Sequence, residues 1–161
     1  MSELKTVDVF IGTSIRGPAK GVGRTMYILR TKLRSGTEYE GAPEVAEYDD
    51  GTESRLVLYA IRDALMRLNY ACRVVVHTEC TYVAAAITQH WPEKWQGNNW
   101  QSGRNKEVKD SVLWSLILQE LEEGGHELVA EAGKHEYSSW MQWKMALVRA
   151  YKDVFSKVEK E

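Results

Sequence analysis

Thr78-Glu-Cys-Thr-Tyr-Val83, followed by Thr88-Gln-His-Trp-Pro-Glu-Lys-Trp95, by Trp100 and by Val108-Lys-Asp-Ser-Val-Leu-Trp114, decides how this chain is read. Just before it, Arg73 to Thr78 holds Val74-Val-Val76, a continuous β-branched run. Such a run suits a strand covered on both faces, so it is expected to pair in parallel with another buried strand. Tyr82 to Gln89 reads as a short helix stopped by Pro92, because proline cannot donate to the helical ladder. From Val108 to Glu122, Val112, Leu113, Leu116, Ile117 and Leu121 share the apolar side of a second helix, which Gly124-Gly125 ends.

Working outward, Val7, Val9 and Ile11 alternate with Asp8 and Phe10 and read as a buried strand ending at Gly12. Gly17 to Gly23 is a glycine-rich loop or bulged turn, and Thr25 to Lys32 a second strand. A weaker third strand runs from Thr37 to Tyr48, interrupted by Gly41 and Pro43. Asp50-Gly-Thr-Glu53 looks like a helix start, with Asp50 as cap and Glu53 reaching back to it. The amphipathic helix that follows extends to about Asn69. His126 to Ala132 carries a short last strand, and Ser138 or Ser139 can cap a last helix. The stripe of that helix reads Trp140, Trp143, Leu147, Tyr151, Val154 and Phe155, which places the two tryptophans in the core. The order βββαβααβα predicts an α/β chain with a five-stranded mixed sheet flanked by helices.

The bulk composition sets bounds on these elements. At 161 residues the chain fits one domain, 1–161, with a charged tail from about residue 156. Hydrophobic content of 43% with 27% charged is ordinary for a globular protein. A net charge of -2 is not the strong positive balance of a dedicated nucleic-acid binder, although a local basic patch can sit on an acidic chain. Cys72 and Cys80 lack zinc or redox spacing; Cys72 reads as a small packed hydrophobe, and Cys80, at the end of the same run, is expected to have no role as a thiol. The N-terminus has no signal pattern and no apolar run approaches a membrane span of about 18 residues, so a cytoplasmic protein is expected.

The block from Thr78 to Trp114 closely resembles the second half of bacterial type 1 ribonuclease H. In that family a strand ends in Thr-Asp-Ser-x-Tyr-Val, a helix and a Trp-rich basic protrusion follow, and Val-Lys-Asn-x-x-Leu-Trp comes next. The resemblance is specific over Thr78 to Trp114, moderate over Val7 to Ser14 and the glycine loop, and poor toward the C-terminus. It implies a ribonuclease H-like fold. It also implies hydrolysis of the RNA strand of an RNA–DNA hybrid by two divalent cations held roughly 4 Å apart by several carboxylates.

Residue by residue, the resemblance leaves most of those carboxylates out. The family's Phe-Thr-Asp-Gly-Ser corresponds to Phe10-Ile-Gly-Thr-Ser14, which puts Gly12 at the first acidic position. The helix Glu stands four residues before an Ala-Ile pair, matched by Ala60-Ile61, so its place falls on Leu56. The strand-end Asp is Glu79 here, whose extra methylene moves the ligand oxygen by more than metal sites tolerate, about 0.2 Å. No Asp occurs between Glu136 and Lys152. Substitutes would have to come from Asp8, Asp50, Glu53 or Glu136. The family's mobile loop His falls near His135, whose bland reading is a solvated side chain, while His77, His90 and His126 lack a partner pattern.

Binding groups survive better. Lys94, Arg104, Lys106 and Lys109 interleave with Trp91, Trp95 and Trp100, and cations with aromatic rings suit a surface that tracks a phosphate backbone. Against this, Gln96-Gly-Asn-Asn99 replaces the family's basic run, and Asp110 stands where an Asn would neighbour a phosphate. The alternative reading of Trp95 and Trp114 is packing of the protrusion onto its neighbouring helix; for Trp100 the two readings stand level.

Together these readings favour a pseudoenzyme with a missing metal site and no cofactor, binding RNA–DNA hybrid or another duplex through Lys94, Trp100, Arg104, Lys106 and Lys109. One alternative is an active hybrid-cleaving ribonuclease using Mg or Mn at a rearranged carboxylate site built on Glu79. Another is a protein-interaction module on the same scaffold, binding a protein partner. No membrane association is expected.

Overall fold

The computed structural model describes residues 4–103 and 106–147. In chain order these form β1 (Lys5–Thr13), β2 (Lys20–Lys32), β3 (Glu38–Glu40), β4 (Glu44–Thr52) and α1 (Glu53–Met66). Then come β5 (Cys72–Thr78), α2 (Thr81–Thr88), α3 (Trp91–Gly97), α4 (Ser111–Gly124) and β6 (Glu127–Ala132). A last helix, α5, covers 138–147.

Six strands occupy five places in one mixed sheet. β1 lies between antiparallel β2 and parallel β5, and β6 continues the sheet parallel to β5. β3 and β4 share the other edge of β2, β3 against Arg30 to Lys32 and β4 against Lys20 to Tyr27. The expected third strand is therefore broken in two between Glu40 and Glu44, where Gly41 turns its N–H to Leu29 O at 2.7 Å and Pro43 lacks one. β2 begins at Lys20, earlier than expected. Its glycines are absorbed by a register shift in which Asp49 and Asp50 of β4 face the single residue Val22.

Two helix boundaries also differ from expectation. Thr52 caps α1, its Oγ1 accepting from Arg55 N at 3.1 Å, while Asp50 lies too early, within β4. Pro92 does not end α2. It sits in the first turn of α3, where a missing N–H costs nothing, and the break is made by His90 at φ 56.

The two faces of β1 carry two cores. Val7, Val9 and Ile11 pack with the α1 residues Val57, Leu58, Ala60, Ile61, Ala64 and Leu65 and with Val74 and Val76. On the opposite face Phe10 joins Met26, Ile28, Met141 and Met145. Val74, Val75 and Val76 are all buried, as a strand covered on both sides requires.

α5 carries two apolar stripes, and the one that packs is not the aromatic one. Met141 and Met145 are buried, whereas Trp140, Trp143 and Leu147 are 39%, 61% and 48% exposed. Gly12 leaves a shallow step in the sheet, and unbranched Met141 fills it, its Sδ 2.9 Å from where a Gly12 Cβ would stand. A rigid indole has no such adaptability. Tyr151, Val154 and Phe155 lie outside the described residues. No helix among the described residues is long and apolar enough to cross a membrane.

Candidate nucleic-acid interface and the carboxylate positions

The ends of β1 and β5, the start of α1 and the start of α5 frame the positions where a set of acids would have to meet. Gly12 is buried opposite Met26, and a Cβ added to it would stand 3.0 Å from Met141 Cβ and 3.4 Å from Met145 Cε. Leu56, in the first turn of α1, is fully buried. Its Cδ1 lies 2.8 Å from the Cβ position of Gly23 in β2 and 3.3 Å from that of Gly51 in β4, with Ile15 Cδ1 2.7 Å from the former. Leu56 is therefore seated in a recess that glycines keep open, and Ile15 closes it.

Glu79, just past β5, is an acid at this end of the sheet. Its carboxylate is met by Arg16, with Nη2 at 2.6 Å from Oε2 and Nη1 at 3.4 Å from Oε1. Each other acid that the sequence offered has its own partner. Asp8 bonds His77 Nε2 at 2.8 Å, and Asp50 pairs with Arg55 at 3.2 Å. Glu136 pairs with Arg30 at 2.6 Å. Glu53 faces the Cys80 thiol, which burial above all, with Glu53 beside it, pushes up to about 11. Among the described residues no group of three or more His, Cys, Asp or Glu is arranged to hold a metal ion.

His135 is not a solvated loop side chain. Its Nε2 faces Ile11 O at 2.8 Å, its Nδ1 accepts from Tyr137 N at 3.2 Å, and its ring meets Phe10 edge-on at 5.3 Å. Those partners use both nitrogens of the neutral ring. Its pKa is lowered, first by burial.

The Trp-rich protrusion is α3 and the excursion that follows it. Tyr82, Trp91, Trp95 and Trp114 form a chain of rings with centroids 6.1, 6.2 and 6.1 Å apart. Trp114 is buried at the foot of this chain, so the packing reading holds for Trp95 and Trp114. Trp100 is half-buried, packed against the same core, and fixed at φ 60 with its N–H on Trp95 O at 2.7 Å. Its carbonyl accepts from Val108 N at 2.9 Å, closing the excursion. Lys94, Lys106 and Lys109 are exposed and, among the described residues, make no ion pair. Arg104 lies outside the described residues.

Asp110 does not face solvent as a free anion. Its side chain is 7% exposed and takes Arg55 Nε at 2.8 Å, so the phosphate repulsion expected at this position is neutralised by Arg55. Sequence reasoning missed Arg55 and Arg16. Arg16 follows the Gly12 to Ser14 match directly, but nothing in the sequence pairs it with Glu79, 63 residues away. For Arg55 the signal was adjacency to Leu56 on a helix that packs against α4.

Residues 12–130 match the RNase H family model. The chain is 33% identical to a ribonuclease H of Actinobacillus succinogenes over 113 residues, which is 70% of this chain and 68% of that protein. It is 37% identical to a ribonuclease H of Caldicellulosiruptor saccharolyticus over 83 residues, 50% of this chain and 57% of that protein. Among solved structures, LC9-RNase H1, described as a type 1 RNase H with the type 2 active-site motif, superposes with TM-score 0.68. The identity there is 17%, over 88% of this chain and 72% of that one. A foamy viral protease–reverse transcriptase in complex with RNA/DNA hybrid superposes with TM-score 0.66 at 16% identity, over 88% of this chain and 19% of that one. At those identities the structural likeness is one of fold.

Proposed function

Because this chain belongs to the ribonuclease H family, we propose that it binds RNA–DNA hybrid and does not hydrolyse it. The observation that carries this reading is Gly12 beneath Met141, an apolar sulfur where the first acidic side chain would have to project. Leu56 seals a second position in the same way, and Glu79 is already neutralised by Arg16. Among the described residues the donors do not fit a pair of divalent cations, which need several hard oxygen ligands to offset their charge.

The binding half of the proposal rests on Lys94, Lys106 and Lys109, exposed along the protrusion, with Trp100 as a half-buried platform beside them. Arg104 joins them by sequence. Each lysine that neutralises a phosphate releases counterions, so affinity falls with salt. The test is fluorescence anisotropy with a labelled hybrid across a salt series. Lys106→Ala should weaken binding and lower the slope of log affinity against log salt by about 0.9. No binding even at low salt would sink the proposal. Hybrid cleavage in Mg²⁺ or Mn²⁺ that is lost in Glu79→Ala would favour the enzymatic alternative instead.

A further inference from the structure

Arg16 holds a cation where the family's chemistry would call for metal charge. It projects from the β1–β2 turn, and that turn is pinned at its root. Ser14 N donates to Arg24 O at 2.9 Å, Arg24 N donates to Ser14 Oγ at 2.7 Å, and Thr13 Oγ1 donates to Ile15 O at 3.0 Å. The guanidinium grips both oxygens of Glu79, yet the Arg16 side chain stays 46% exposed against 18% for Glu79. A guanidinium has more N–H donors than one carboxylate can take, and its planar fork suits phosphate as well as carboxylate. Glu79 alone would repel a nucleic-acid backbone; paired, it orients the fork and leaves the remaining donors facing outward.

We infer that Arg16, oriented by Glu79, is a contact for a backbone phosphodiester of the bound duplex, so that binding requires no divalent cation. This inference rests on the hybrid-binding reading above.

The experiment uses the full chain and a labelled RNA–DNA hybrid, read by anisotropy in EDTA and in MgCl₂ at matched ionic strength. Wild-type binding should persist in EDTA and be no tighter in MgCl₂, since a fixed guanidinium supplies the charge and Mg²⁺ only competes for the phosphates. Arg16→Gln should weaken binding roughly tenfold, the scale of a hydrogen bond to a charged group. It should also lower the salt slope by about 0.9, which a merely structural role would not do. Glu79→Gln, which keeps the shape but removes the anion that orients the fork, should weaken binding by about threefold, and tighter binding would overturn the orienting role. Unfolding of Arg16→Gln at the wild-type temperature shows that the loss is not one of folding. If Arg16→Gln keeps wild-type affinity and slope, or if wild-type binding needs Mg²⁺, the inference is overturned while hybrid binding stands. If the wild type binds no hybrid at low salt, the function itself fails first.

Discussion

Restoring an acid at the first strand, by Gly12→Asp, should damage the fold rather than rebuild a catalytic site. The would-be Cβ stands 2.9 Å from Met141 Sδ and 3.0 Å from Met141 Cβ, and the second of these is close to the helix backbone. Turning a side chain out of the way is therefore not enough, and α5 must move. Overpacking of this kind costs about 1–3 kcal/mol, which Gly12→Ala alone should show. The carboxylate adds a second cost, because the position is buried against methionine side chains: a shift of about three pKa units corresponds to about 4 kcal/mol. A carboxyl whose folded pKa is raised destabilises above its unfolded value, near 3.9, and the penalty vanishes as pH falls below it. Urea unfolding of Gly12→Asp and Gly12→Ala should thus differ by several kcal/mol at pH 7 and converge below about pH 4. An unchanged midpoint for Gly12→Asp, or the appearance of hybrid hydrolysis, refutes the reasoning.

Other positions give sharper contrasts. Trp140→Ala and Trp143→Ala, on the exposed face of α5, should change stability by no more than about 0.5 kcal/mol, whereas Met141→Ala should cost about 2–5 kcal/mol; the reverse ranking in denaturant titrations would mean that the aromatic stripe is the buried one. Arg55→Ala strands the Asp110 carboxylate, 7% exposed, and should cost about 2–3 kcal/mol, most of it recovered in Arg55→Ala/Asp110→Asn; no recovery would break the pairing argument. Burial lowers the pKa of both His126 and His135 from the usual 6.5, so the folded state resists protons that the unfolded chain accepts. Stability should therefore fall as pH drops below about 6.5 and be insensitive to these groups above it, and replacing both with Gln should flatten that slope. An unflattened slope in the double variant would assign the pH dependence to other groups.

The fold was legible because its signals are local. Val74-Val-Val76 announced a strand covered on both sides, and the spacing of Leu113, Leu116, Ile117 and Leu121 announced α4, although Val112, expected on the same side, is 70% exposed. What escaped were choices made between elements. α5 has methionines on one side and tryptophans on the other, and the side that packs is the one that meets Gly12, Phe10, Met26 and Ile28 on strands far away in sequence. Asp50 looked like a cap because its spacing to Glu53 fits, but β4 runs past the expected end at Tyr48 to Thr52, which takes the cap. At the proposed site, the apolar residues at Gly12 and Leu56 were readable from the chain alone. The pairings of Arg16 and Arg55 were not, since an ion pair across 63 or 55 residues leaves no periodic mark.

The most direct test of the central claim is one incubation of the protein with end-labelled RNA in an RNA–DNA hybrid, in Mg²⁺ and separately in Mn²⁺. Aliquots are resolved both as native complexes and as denatured strands. Retarded complex with full-length RNA in both metals is the predicted result. Shortened RNA that appears with the wild type and disappears with Glu79→Ala would contradict the account.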